Sequence, residues 1–158
     1  MQSGPLGETA PPQPGNPYGL AKNTLRLFLE TLRQQLPFNL QWARLFYLYG
    51  EGQNPNSLLA GAERFDMSAG EQLRDYLPIE VAAGYLARLL EQRGFSGVVN
   101  CASGRPIAVR TLVEQRLRER GASIALNLGH YGYPSHEPMA FWGVADRLQQ
   151  LLGGEHGV

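Results

Sequence analysis

From Asn16 onward the sequence alternates segments of helical period with short apolar runs, and this alternation restricts the fold more than any other feature. Leu20, Leu27, Phe28, Leu32 and Leu36 recur at helical spacing up to Pro37. That spacing predicts a helix over 17–36, with Asn16 as its N-cap and Pro17 at its first position. The short apolar and aromatic run 40–46, closed by Gly50 and Gly52, reads as a buried strand. A strand at 73–79 then leads into a helix that Gly94 ends. A strand at 97–101, a turn at 103–106, a helix at 109–120 stopped by Gly121, a strand at 123–128 and a last helix at 144–152 complete the series. Strands separated by helices call for crossover connections, so the predicted class is α/β with parallel pairing and no internal repeat. The remainder is polar and broken. Pro5, Pro11, Pro12, Pro14 and Pro17, with Gly4, Gly7 and Gly15, predict that 1–17 is a proline-rich loop unable to sustain helix or ladder pairing. Residues 51–70 read as mostly loop around Leu58, Leu59 and Ala60.

Composition narrows the function classes. A chain of 158 residues, 43% of them hydrophobic, can bury one core but not two ordinary ones. Its 14 basic and 14 acidic side chains cancel, so no long-range field favours nucleic acid or an anionic membrane, and any anionic ligand must be held by local residues. A single cysteine, Cys101, excludes an intrachain disulfide and suits a reducing compartment such as the cytoplasm. Without a run of about 18 apolar residues, or a leader-like pattern in Met1-Gln2-Ser3-Gly4-Pro5, a soluble protein is expected.

Tyr18 and Lys22 stand four residues apart in the first turns of the first predicted helix, which puts them on one face. A free tyrosine, with a pKa of about 10, is a poor base at neutral pH, and a neighbouring ammonium favours its phenolate. The same ammonium can hold a ribose hydroxyl. On spacing alone, an ordinary pair on a solvated helix face is the better explanation of the two residues.

The surrounding segments give the pair a context. Gly7-Glu8-Thr9-Ala10-Pro11-Pro12 through Asn16-Pro17-Tyr18-Gly19-Leu20-Ala21-Lys22 resembles the acid-and-proline-rich loop and Pro-Tyr-Gly-x-x-Lys helix of the extended short-chain dehydrogenase/reductase family of NAD(P)-dependent epimerases and dehydratases. Arg44-Leu45-Phe46-Tyr47-Leu48-Tyr49-Gly50-Glu51-Gly52-Gln53 is similar to that family's Arg-Leu-Phe-Asn-Val-Tyr-Gly-Pro-Gly segment. Leu73-Arg74-Asp75-Tyr76-Leu77-Pro78-Ile79 is similar to its Arg-Asp-Phe-x-x-Val segment, and Asn100-Cys101-Ala102-Ser103-Gly104 to its Asn-x-x-x-Gly turn. The resemblance implies the C-terminal half of a Rossmann-like parallel sheet plus a small substrate-binding subdomain, interleaved over 18–158. It implies a catalytic Tyr18 and Lys22, both of which also contact NAD or NADP, with Phe46 beside the nicotinamide. It further implies that Arg74 binds the diphosphate of a nucleotide-sugar substrate and that Tyr47 faces the sugar, and it admits a homo-oligomer. The implied activity is that of a nucleotide-sugar epimerase, dehydratase or reductase acting on a sugar hydroxyl or keto group.

The departures bear on the same reading. Tyr47 replaces the family's usual asparagine, which points to a different sugar pocket. Val81 replaces an acidic residue, with Glu80 beside it as a cap, and the interval 52–70 is shorter than the family's substrate-binding insertion. No Gly-x-x-Gly-x-x-Gly turn is present to receive a cofactor pyrophosphate, and Ser3 in the proline-rich loop stands too close to Tyr18 to be the family's catalytic serine. The sequence therefore predicts a truncated enzyme lacking the cofactor-phosphate part and inactive alone. The alternative is a non-catalytic remnant or interaction module without cofactor binding. No metal site is predicted, because His130 and the His136-Glu137 pair lack a third ligand at suitable spacing. Cys101 is expected to be a buried, inert thiol, and Trp42 and Trp142 to be packing residues.

Overall fold

The computed structural model describes residues 2–50, 64–135 and 137–153. Its elements run β1 (Gly4–Leu6), α1 (Pro17–Leu32), β2 (Gln41–Leu45), β3 (Tyr47–Tyr49), β4 (Arg64–Asp66), β5 (Leu73–Pro78), α2 (Ile79–Glu91), β6 (Gly97–Cys101), β7 (Pro106–Ala108), α3 (Val109–Glu119), β8 (Ala125–Asn127), β9 (Phe141–Gly143) and α4 (Asp146–Leu151). The expected α/β class holds, and among the described residues four of the five strand pairings are parallel: β1 with β9, β2 with β6, β3 with β5, and β4 with β8. The loop expected over 51–63, with the Leu58 cluster and Glu51 to Gln53, lies outside the described residues, as does His136.

The two-residue period of a strand organises the centre. On β6, Val99 and Cys101 are fully buried and face the helices. Val99 packs with Leu89 of α2 and with Leu148 and Leu152, while Cys101 packs with Leu77 and Ala82. Ala43 of β2 joins the Val99 cluster. Asn100, between the two buried apolar residues, projects from the opposite face and pairs in register with Arg44 of β2. A second core under α3 gathers Met67, Val113 and Leu117 with Phe65 of β4 and Leu126 of β8.

Buried polar groups join these parts. Asp75, fully buried on β5, accepts the backbone N–H groups of Ser103 at 2.8 Å and Gly104 at 2.9 Å. The turn so held, with Gly104 at φ +73°, sends 106–108 back antiparallel to 73–75, where uniformly parallel pairing was expected. Asn16 caps α1 by accepting the Gly19 N–H at 2.8 Å, with Pro17 in the first turn as the sequence predicts. The helix stops at Leu32 rather than 36, because Gln34 and Gln35 donate to Thr31 and Leu32 and tighten the chain out of α geometry before Pro37.

Two further sequence expectations are corrected. The run 40–46 forms the expected strand, β2, but a half-buried one with Leu45 50% exposed rather than a buried one. Pairing with β6 ends at Leu45, and Tyr47 to Tyr49 leave to pair with Tyr76 to Pro78. The loop expected over 1–17 contains β1, paired with Phe141 to Gly143. Proline does not prevent this pairing, because Gly4 N–H donates to Ala140 C=O at 2.9 Å and Leu6 C=O accepts from Val144 N–H at 3.0 Å. Pro5, without a donor, falls between these bonds.

Gly143 sits where a side chain does not fit: a Cβ there would lie 2.4 Å from the Ala102 Cβ and 2.7 Å from the Phe46 ring. Gly143→Ala should therefore cost about 1–3 kcal/mol by overpacking, read from denaturant midpoints at unchanged slope, and should displace Phe46. Burial, reinforced by the Asp75 carboxylate, pushes the Cys101 thiol up to about 11. The folded state thus holds this proton more tightly than the unfolded chain. The associated stability is complete below the free-thiol pKa of about 8.5 and is lost as pH rises toward the folded value. Denaturation curves across that alkaline window should show this loss in the wild type, and less of it in Cys101→Ala.

Candidate active site

Asn16 and Pro17 fix the start of α1, so Tyr18 and Lys22 occupy its first turns on one face. The Lys22 ammonium lies 5.6 Å from the centroid of the Tyr18 ring, over its face, and Tyr18 itself is 73% exposed. Lys22 lines a cleft of about 270 Å³ between α1 and β2. Asn23 and Arg26 continue the helix wall, and Trp42, Arg44 and Phe46 form the sheet wall. The structure thus brings Lys22 and Phe46 to one cavity, with Tyr18 beside it.

Arg44 is the charged group of the sheet wall. Its Nη1 donates to the Glu8 and Ala10 carbonyls, both at 3.2 Å. Burial, and then the neighbouring Arg26, lower its pKa from the usual arginine value, while Glu8 and Glu30 act in the other direction. Arg26 is paired with Glu30 one turn along α1, at 2.5 Å.

The other two expected site residues meet elsewhere. Arg74 is 3% exposed. Its Nη1 donates to the carbonyls of Leu73 at 2.9 Å and Met139 at 3.3 Å, its Nη2 reaches Glu137 Oε2 at 3.2 Å, and the guanidinium stands 4.5 Å over the Phe141 ring. Tyr47 lies 6.0 Å from Phe141 and 5.4 Å from Tyr76, centroid to centroid. Arg74 and Tyr47 therefore gather around Phe141, a residue the sequence reading did not single out. Burial first, and then Tyr47, raise the Tyr76 pKa, which keeps that phenol protonated. The adjacent residues Phe46 and Tyr47 connect the cleft to this aromatic group across the β2–β3 junction.

A larger cavity, of about 600 Å³, is lined by Tyr49, Tyr76, Tyr85, Arg105 and Gln115 among others. It contains none of Tyr18, Lys22, Phe46, Tyr47 or Arg74, so the larger cavity and the expected site residues fall in different places. Asp75, Asn100 and Glu8 were also unassigned by sequence, and each acts through partners far along the chain. His130 is engaged locally with Asn127 at 3.2 Å and Asp66 at 3.7 Å. Among the described residues no helix is long and apolar enough to cross a membrane.

Known proteins resemble this chain in sequence and in fold. The chain is 32% identical, over 151 residues, to the dTDP-6-deoxy-L-talose 4-dehydrogenase (NAD(+)) of Aggregatibacter actinomycetemcomitans, an alignment covering 89% of this chain and 55% of that protein. The structure of RMD from Pseudomonas aeruginosa complexed with NADPH superposes with a TM-score of 0.81 at 20% identity, covering 96% of this chain and 54% of that one. UDP-glucuronic acid 4-epimerase from Bacillus cereus in complex with NAD also gives 0.81 at 20% identity, covering 100% and 51%. These two show a shared Rossmann-type fold, and the chain spans about half the length of the relatives it matches. The profile of one family matches residues 1–102, well over half of the sequence and the part that carries β1, α1 and the β2–β6 pair. The chain therefore belongs to the NAD dependent epimerase/dehydratase family.

Proposed function

We propose that this chain supplies the acid–base and substrate-side part of an NAD(P)-dependent enzyme acting on a hydroxyl or keto group of a nucleotide sugar, in an epimerisation, dehydration or reduction. The observation that carries this reading is the placement of Lys22, with its ammonium over the Tyr18 ring and its side chain in a cleft that also holds Phe46. Tyr18 takes the proton from the sugar hydroxyl, and Lys22 supplies the positive charge that stabilises the phenolate. The cleft fits the nicotinamide-ribose end of NAD or NADP by its donor set: an ammonium with three N–H groups for ribose hydroxyls, and an aromatic ring for a flat heterocycle. A nicotinamide held there would supply hydride transfer to or from the sugar. The NAD(+) dependence of the talose dehydrogenase and the nucleotides held by the two structural relatives support this cofactor class. These 158 residues contain no Gly-x-x-Gly-x-x-Gly turn to receive the pyrophosphate.

On the substrate side, Arg74 binds the nucleotide diphosphate and Tyr47 faces the sugar. To reach a phosphate, Arg74 exchanges Glu137, its 43% exposed partner, for the ligand's oxygens. The single thiol and the absence of a spanning helix among the described residues accord with a cytoplasmic location. A second reading, a non-catalytic interaction module or homo-oligomer, is favoured by one observation. Among the described residues α1 buries none of its side chains, and Leu20, Leu27 and Phe28 are 56%, 48% and 61% exposed.

Nicotinamide absorbance, followed with a panel of nucleotide sugars in a protein that carries this chain and binds cofactor, tests the reading. Tyr18→Phe should lower turnover by about 10² or more while the fold stays intact, and Lys22→Met should lower turnover and weaken cofactor binding together. Retained turnover in Tyr18→Phe would leave the interaction module as the better account. Glu137→Gln removes the carboxylate that competes for the buried Arg74 and should tighten nucleotide-diphosphate binding, by about fivefold for each 1 kcal/mol the half-buried ion pair withholds. An unchanged Kd by calorimetry would take Arg74 out of diphosphate binding.

A further inference from the structure

Burial does not set the place of Tyr18, because α1 buries no residue among those described. Its ends must do so. Beyond the C-terminal end, Arg33 Nη1 donates to Ser96 Oγ, which also accepts from Leu40 N–H at 3.0 Å. The N-terminal end follows the loop 7–15, and the ties of that loop converge on two side chains. Arg44 donates to the carbonyls of Glu8 and Ala10. Asn100, 1% exposed, donates through Nδ2 to Leu6 C=O at 2.8 Å and Val144 C=O at 3.1 Å, and its backbone N–H donates to Glu8 Oε1 at 3.0 Å. Arg44 and Asn100 are register partners on adjacent strands, so both project from the same face of the β2–β6 pair.

We propose that Arg44 and Asn100 form a clamp that holds the segment from Leu6 to Ala10 on the sheet and thereby positions Tyr18. Both are positioning residues, and the inference rests on the catalytic reading of Tyr18 given above.

The sequence between clamp and tyrosine is suited to transmit position. Ala10 N–H closes a turn on Gly7 C=O at 3.1 Å, and Pro11, Pro12 and Pro14 follow before the Asn16 cap. Proline fixes φ near −65°, and proline-rich segments act as semi-rigid spacers, so a displacement at Ala10 is carried along 11–14 toward the Asn16 cap, with Gly15 the one flexible joint before it. Gln2 Nε2 adds a tie to Pro11 C=O at 2.7 Å. Asn100 also couples β1 to the residue after β9, so the clamp joins the tyrosine's approach to the β9 strand, where Phe141 receives Arg74.

The test reads the place of Tyr18 directly, in the 158-residue chain with isotope-labelled tyrosine rings, the Tyr18 signals being assigned with Tyr18→Phe. Arg44→Met keeps the stem and removes the fork, and Asn100→Asp puts a carboxylate against two carbonyls. Arg147→Met is the control, because it removes a similar tie, from Arg147 Nη1 to Val98 C=O at 2.8 Å, elsewhere on β6. The clamp variants should shift the Tyr18 ring signals and lose the cross-peak between the ring and the Lys22 ε-methylene. The control should keep both, whatever its melting temperature. If either clamp variant fails to fold, Arg44→Lys and Glu8→Ala, each removing only part of the network, decide the matter by the same two signals. Unmoved Tyr18 signals in folded variants whose Thr9 methyl has shifted would overturn the proposal. The readout is independent of turnover, so a Tyr18→Phe enzyme that stays active removes the base and leaves the clamp result standing.

Discussion

The arrangement depends on two neighbours of β5 that point in opposite directions. Asp75 turns inward, and with both oxygens it holds the backbone of Ser103 and Gly104, which fixes the end of β6 and the reversal into β7. Arg74 turns the other way and gathers the Met139 carbonyl, Glu137 and the Phe141 ring. A strand that sends alternate side chains to opposite faces thus fastens two distant segments with consecutive residues. Both groups are nearly or fully buried and both are satisfied, the condition under which buried charge is tolerated.

How much of this was legible in sequence depended on the range of the interaction. Asn16 and Pro17 announced α1 because a cap is local chemistry, complete within four residues. The end of the same helix was misplaced because the tightening at Gln34 and Gln35 has no apolar signature. β1 was hidden by its proline, since only the partner strand shows which N–H groups the ladder needs. The pairing of Arg44 with Asn100 could not be foreseen without the register of β2 on β6, and nothing near Arg74 in sequence points to Glu137 or Phe141.

The candidate site was legible in a similar way. Tyr18 and Lys22 share a face because helical spacing requires it, and a motif resemblance led to Phe46, which lies in the same cleft as Lys22. The resemblance also drew attention to Arg74 and Tyr47, and the structure adds that they share one aromatic neighbour. What joins the two halves is the β2–β3 junction, where the chain changes pairing partner between Leu45 and Tyr47 and so presents Phe46 and Tyr47 to different surroundings.

The unburied α1 has a consequence for how the molecule divides into cooperative units. Val99 and Cys101 sit in packed apolar surroundings and can open only with the core, whereas the helix bearing Tyr18 has little apolar contact to lose. Local opening free energies span from near zero up to the global value, and segments with few buried contacts lie at the low end. Within this chain α1, half-buried along one side and tethered beyond both ends by hydrogen bonds, lies toward that low end. Substitutions on its exposed surface and substitutions in the β6 core should combine additively, so the helix that carries Tyr18 can be altered without reopening the arrangement of the sheet.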